Sequence, residues 1–134
     1  MVLAARSLEH LDVVAREIEA LGRSALAVRT DVRQAAEVEA LAVRALDRFG
    51  RIDTLINNAG LGRFGPVDEL PGEHFDEMIA VNLRGPFLCT RAVVPAMKRQ
   101  GSGAIVHVAS VAGLVGNPNL SGYNASKFGL MGFS

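Results

Sequence analysis

Apolar residues recur along this chain in two alternating rhythms. Short apolar runs read as buried strands: Val2-Leu3-Ala4-Ala5, Ala25-Leu26-Ala27-Val28, Ile52 to Ile56 and Ala104 to Ala109. Between them the spacing becomes helical. Ser7 can cap a helix whose inner face is Leu8, Leu11, Val14, Ile18 and Leu21, with Gly22 as its stop. Val38, Leu41, Ala42, Ala45 and Phe49 form the face of a second helix ending at Gly50. A third helical stretch extends from about Glu73 to Arg99, and Gly85-Pro86 and Pro95 predict a kink or break in it. A last helix starts near Tyr123.

Strands alternating with helices predict an α/β fold: a doubly wound parallel sheet of the Rossmann type, covered on both faces. Parallel strands need neighbours on each side. The chain opens inside a strand and closes inside a helix, so the expectation is a single partial domain over residues 1–134, incomplete at both ends.

Composition narrows the function classes. Apolar residues make up 49% and charged residues 21%, and 14 basic side chains balance 14 acidic ones. Zero net charge argues against a nucleic-acid partner, which would need a basic excess. The apolar stretches are broken well short of a membrane span. Cys89 is the sole cysteine and sits on an apolar helical face, where a thiol packs as a small hydrophobe. No charged-then-apolar leader is present, and with a lone thiol a cytoplasmic setting fits. His10, His74 and His107 are scattered, so no metal site is expected. Asn119-Leu120-Ser121 and Asn124-Ala125-Ser126 match the glycosylation pattern by chance on this reading.

The chemistry lies in a few positions. Gly60-Leu61-Gly62-Arg63-Phe64-Gly65 matches G-x-G-x-x-G literally, but Pro66, Pro71 and Gly72 follow where a phosphate-binding helix should begin, so the segment reads as a loop. Tyr123 and Lys127 stand four apart, which puts them on one helix face. A lysine ammonium near a phenol stabilises phenolate and makes tyrosine a usable acid or base. The chain holds one tyrosine and only two lysines, Lys98 and Lys127, which makes the pairing selective. Ser110 ends the fourth strand, on the side where open α/β sheets bind ligands; a cap or turn serine is the plainer alternative. Asn82 lies in the apolar stretch Ile79 to Leu83, where a buried amide must be satisfied, as a structural hydrogen bonder or as a relay for water.

Together with Asn57-Asn58-Ala59-Gly60, these residues resemble the short-chain dehydrogenase/reductase family. That family's pattern has an N-N-A-G loop after the fourth strand, an active-site Asn on the next helix, a Ser after the fifth strand and Y-x-x-x-K thirteen residues later. All occur here in order, and Thr30-Asp31-Val32 fits the end of the family's third strand. The resemblance covers the whole chain, roughly the middle half of a family domain. It lacks the family's first strand with its T-G-x-x-x-G-x-G phosphate loop and the strands after the Y-x-x-x-K helix. Without that first strand the sheet should have a hole at its centre. His107 stands where many members carry Asn.

The resemblance implies an oxidoreductase that moves hydride between NADP(H) and a carbonyl or alcohol. Tyr123 would be the general acid or base, Lys127 its partner and a ligand of the nicotinamide ribose, Ser110 the holder of the substrate oxygen and Asn82 a support for a proton relay. Asp31 and Val32 would flank the adenine, and Asn58, Ala59 and Gly60 would line the ribose region. Arg6 follows the second family strand, where an acidic residue would receive a ribose 2′-hydroxyl and Arg can pair with a 2′-phosphate, so NADP is favoured over NAD. The small-molecule partner is a carbonyl or alcohol substrate, and the full-length parent is expected to be a homo-oligomer, dimer or tetramer. The rival readings are a catalytically inactive truncated fragment and a flavodoxin-like binder, which would show no coupled Ser-Tyr-Lys geometry.

Overall fold

The computed structural model describes all of residues 1–134. Four strands and five α-helices alternate in the expected order: β1 (Val2–Ala5), α1 (Leu8–Ala20), β2 (Leu26–Arg29), α2 (Ala35–Phe49), β3 (Thr54–Asn57), α3 (Gly72–Ile79), α4 (Gly85–Gln100), β4 (Ala104–His107) and α5 (Ser121–Phe133). A π-helical turn, Ala80–Arg84, joins α3 to α4, and a 3₁₀ turn, Val111–Gly113, follows β4.

Local signals explain the boundaries. Ser7 accepts a hydrogen bond from the His10 amide and caps α1. Gly50 and Gly101 close α2 and α4 in the left-handed region, at φ 75° and 70°, where a side chain would be strained. The expected break at Pro95 does not occur, and α4 continues through it to Gln100. The irregularity falls earlier, at the π turn around Asn82, which passes without a break into α4, with Arg84 and Gly85 helical and Pro86 directly after them.

All strand pairing is parallel, but the sheet is split. β1 pairs with β2 from Val2↔Leu26 to Ala5↔Arg29, β3 pairs with β4 from Thr54↔Ala104 to Asn57↔His107, and no hydrogen-bonded ladder joins the two pairs. Between β1 and β3 lies a cavity of about 1010 Å³, lined along its length by both strands. The central hole expected of the sheet is therefore present. Parallel ladders use alternate residues of a strand. Since Ala5 O accepts from Thr30 N and Asn57 O from Val108 N, the backbone groups of Ala4 and Ile56 point away from their partner strands.

The core sits where α2 and α4 pack together over β3 and β4. Val38, Leu88 and Cys89 form one buried cluster with Val32 and Leu55 against it, and Ala42, Val93 and Met97 form another with Leu55 and Ile105. The other face of this sheet pair is bare: Ile56, Val106 and Val108 are 62%, 47% and 42% exposed. The expected cover on both faces is thus met on one face of β3 and β4 only.

Candidate active site

The loop after β3, the π turn and the first turns of α5 meet at Asn82, which is fully buried. Its Oδ1 accepts from the Leu61 amide at 2.9 Å. Its Nδ2 donates to Leu61 O at 2.8 Å and to Ser126 Oγ at 3.0 Å. Ser126, also fully buried, donates in turn to Tyr123 O at 2.7 Å. One amide side chain thereby ties the Asn58–Gly60 loop to the helix that carries Tyr123 and Lys127. The π turn widens the backbone at this point, a feature that recurs at functional sites.

Lys127 is 5% exposed, and its ammonium donates to Val108 O at 2.8 Å. This bond brings α5 to the end of β4, two residues before Ser110. Burial pushes the Lys127 ammonium below the usual lysine range. Its Nζ lies 5.8 Å from the centre of the Tyr123 ring. A Cβ built on Gly60 would stand 3.8 Å from Nζ and 3.5 Å from Asn82 Oδ1, so the loop passes close to both. Ser110 Oγ accepts from the Ala112 amide at 3.2 Å, which leaves its own proton free to donate. A Cβ on Gly113 would come within 2.8 Å of Lys127 O, so the turn after Ser110 presses directly on α5. The structure therefore gathers Asn82, Gly60, Tyr123 and Lys127 into one knot and anchors the Ser110 segment to it.

The remaining candidates border the cavity. Arg6, Asp31, Val32, Asn58, Ala59 and Gly60 all line it. Asn58, Ala59 and Gly60 are exposed there. Val32 also packs into the core, and a Cβ on Gly85 would approach its Cγ2 to 2.9 Å. The Asp31 carboxylate is gripped by Arg33, whose Nε reaches both oxygens at 3.0 Å and whose Nη2 reaches Oδ2 at 2.6 Å. That guanidinium holds the Asp31 carboxyl below the ordinary carboxylate range. Arg6, by contrast, is exposed and enters no ion pair.

Sequence reasoning missed Arg33 and Ser126. An Asp and an Arg two apart at a strand end were a visible signal for Arg33. Nothing marked Ser126, whose role arises from a helix meeting a π turn 44 residues away. Cys89 is buried as expected, and burial alone raises its thiol to about 11, which leaves it unreactive. No group of His, Cys, Asp and Glu is arranged to hold a metal ion, and no helix is long and apolar enough to cross a membrane.

The sequence profile of the short chain dehydrogenases matches residues 1–134. The chain belongs to the short-chain dehydrogenase family. Over 130 residues it is 44% identical to the 3-oxoacyl-(acyl-carrier-protein) reductase of Synechocystis sp., covering 97% of this chain and 53% of that protein. It is 38% identical over the same length to the corresponding reductase FabG of Staphylococcus aureus, with the same coverage. The chain thus spans about half the length of the curated relatives it matches.

Among solved structures of short-chain dehydrogenases, it superposes on a metagenomic oxidoreductase in complex with NADP with a TM-score of 0.93 at 41% identity. That match covers 98% of this chain and 60% of the other. A Burkholderia phymatum enzyme in complex with NAD gives 0.95 at 38% identity, covering 98% and 47%. The fold is accordingly the Rossmann-like α/β fold of this family.

Proposed function

We propose that the protein transfers hydride between NADP(H) and a carbonyl or alcohol substrate, with Tyr123 as the proton donor in reduction and the acceptor in oxidation. The observation that carries this reading is the knot in which Asn82, through Ser126, holds the helix of Tyr123 and Lys127 against the Asn58–Gly60 loop. The knot sets the Tyr123 ring 5.8 Å from the buried Lys127 ammonium, beside the Asn58–Gly60 loop that lines the cavity.

The residues present fit a dinucleotide at its two ends. At one end, the bare Cα of Gly60 leaves room beside Lys127, whose Nζ spends one proton on Val108 O and keeps two for ribose hydroxyls. At the other, Arg6 has an uncommitted guanidinium able to meet a 2′-phosphate, since Asp31 is already paired with Arg33. This favours NADP over NAD, in keeping with the NADP and 5-hydroxy-NADP bound to two of the structural relatives. Asp31 and Val32 would border the adenine, and Asn58 to Gly60 the ribose. When bound, the nicotinamide supplies or accepts the hydride. Ser110 donates its free proton to the substrate oxygen and orients it towards Tyr123. Asn82 has both amide protons committed, so only a second lone pair on Oδ1 remains for a relay water.

The reading extends to one NAD(P)-binding Rossmann domain over residues 1–134, in a cytoplasmic homo-oligomer. A second reading is favoured by the split sheet: that residues 1–134 alone turn nothing over, because β1 and β3 have no strand between them to position the dinucleotide. Both are tested by following NADPH consumption with a ketone. Tyr123→Phe should lower kcat by about 10²–10⁴-fold while NADPH affinity stays within error, because the ring remains and the proton does not. Retained kcat would remove Tyr123 from the acid/base role. Arg6→Asp should shift preference towards NAD, and unchanged discrimination would mean that Arg6 does not read the phosphate.

A further inference from the structure

The G-x-G-x-x-G look-alike at residues 60–65 reads from its sequence context as a loop, and in the structure it is tied down at several points. Leu61 is clamped by Asn82, the Arg63 guanidinium reaches Glu77 at 3.2 Å, and Gly65 N donates to Asn119 O at 2.9 Å. Gly62 has a specific steric duty. A Cβ there would fall 2.4 Å from Phe64 Cζ and 2.7 Å from Cε1, so the Phe64 ring lies directly over Gly62 and a side chain there would displace it. So placed, the ring meets Tyr123 edge to face, with centroids 5.7 Å apart and planes at 89°. Phe64 nevertheless remains 62% exposed.

A phenylalanine held in a fixed loop, touching the one tyrosine and otherwise bare, presents apolar surface beside the phenol. Beside an acid/base group, such a ring is placed to take up an apolar part of a substrate. The bond from Gly65 to Asn119 also ties this loop to the segment that follows Ser110, where Leu114 and Val115 are 64% and 55% exposed.

We propose that Phe64, seated on Gly62, is a specificity-determining residue of the site: it selects carbonyl substrates that carry a bulky apolar group next to the reacting carbon. The inference rests on Tyr123 being the acid/base of the reaction. Phe64 offers no donor or acceptor, so it discriminates by size and by the water an apolar group displaces. Contacts of this type discriminate by about 10–200-fold per pocket.

The test uses the full chain with NADPH and two ketones, cyclohexyl methyl ketone and acetone. The ratio of their kcat/KM values should fall about tenfold in Phe64→Ala. It should fall less in Phe64→Leu, which keeps an apolar body and serves where the alanine variant does not fold. Gly62→Ala should lower the ratio too, since the new Cβ evicts the ring. An unchanged ratio in the folded variants overturns the proposal. No turnover by the unaltered chain would instead sink the hydride-transfer reading. Phe64 is then judged by binding, since Tyr123 is the only tyrosine and there is no tryptophan, so ultraviolet emission reports on this site alone. A several-fold weaker response of that emission to cyclohexyl methyl ketone in the Phe64 variants sustains the proposal. An equal response, or none in any of the proteins, overturns it.

Discussion

Around Asn82 every hydrogen-bonding atom of the side chain has a partner, whereas along β1 and β3 alternate backbone groups face a cavity of about 1010 Å³ with none. The two regions lie in one chain and draw on similar apolar residues. They differ in how each backbone is satisfied. The loop after β3 has no ladder, so a side chain supplies the missing bonds. The inner edges of β1 and β3 could be satisfied only by another strand, since no side chain can serve a row of alternating donors and acceptors. A site can thus be rigid while the sheet beneath it stays open.

Breaking the knot should have the largest effect. Asn82→Leu keeps the branching of the side chain, in a larger body, and removes three hydrogen bonds, leaving Leu61 N–H and C=O and the Ser126 hydroxyl short of partners. A stranded buried group costs about 1–3 kcal/mol; the Leu61 groups are part-buried and Ser126 keeps its bond to Tyr123 O, so the loss, overpacking included, should be about 2–3 kcal/mol. Urea unfolding followed by circular dichroism measures it. A loss under about 1 kcal/mol would mean that water replaces the amide and that the knot is not what holds the loop.

A gentler probe acts on the same region by volume. A Cβ at Gly122, next to Tyr123, would sit 2.4 Å from Met78 Cε and 3.0 Å from Phe75 Cδ2. Met78 is flexible but fully buried, so it has little room to yield. Gly122→Ala should cost about 1–3 kcal/mol by overpacking, despite alanine's better helix propensity. Stabilisation in a thermal melt would show that α3 and α5 are less tightly joined than their geometry indicates.

The cavity can be probed without mutation. The amides of Ala4 and Ile56 point away from their paired strands, whereas those of Ala5 and Asn57 lie within the β1–β2 and β3–β4 ladders. Native-state hydrogen exchange should therefore alternate along each strand, fast at Ala4 and Ile56 and slower at Ala5 and Asn57. Uniform protection along β3 would mean that the cavity closes in solution and that the inner strand edges are satisfied after all.

These contrasts bear on what the sequence could disclose. Period and caps located the strands to within about two residues and all the helical stretches, because burial and termination are local signals; the π turn between α3 and α4 left no such mark. The gap between β1 and β3 was also legible, through the resemblance, as a missing neighbour. Ser126 was not, since its importance depends on a contact made only after folding. Pro95 misled for a related reason: its ring clashes with a carbonyl one turn back, but α4 is embedded among α2 and the strands, and tertiary packing outweighs that local cost. The glycines of residues 60–65 read only as a loop; that Gly62 lies under the Phe64 ring depends on where that ring turns after folding, which the sequence does not mark.

The smallest effect is expected at His107, on the last residue of β4. Asn57 Nδ2 donates to its Nδ1 at 3.2 Å, so Nδ1 carries no proton and the neutral ring is protonated on Nε2. The Phe133 ring packs on it at 5.4 Å, and burial holds the imidazole below its ordinary value of 6.5. In the unfolded chain the ring protonates as pH falls through about 6.5, while the folded ring resists. The folded state therefore loses stability as pH drops below that point, and the loss ends only once pH passes below the folded value. Protonation at Nδ1 would also set one donor against another at Asn57, a change worth about 1 kcal/mol for a single neutral hydrogen bond. His107→Asn should flatten this part of the stability–pH curve while shifting neutral-pH stability by no more than about that amount. Thermal melts of both proteins at a series of pH values between 7.5 and about 5 measure the slope. An equal slope in the variant would remove His107 from this part of the curve; Asp31, whose depressed value places its own contribution at lower pH, lies outside it.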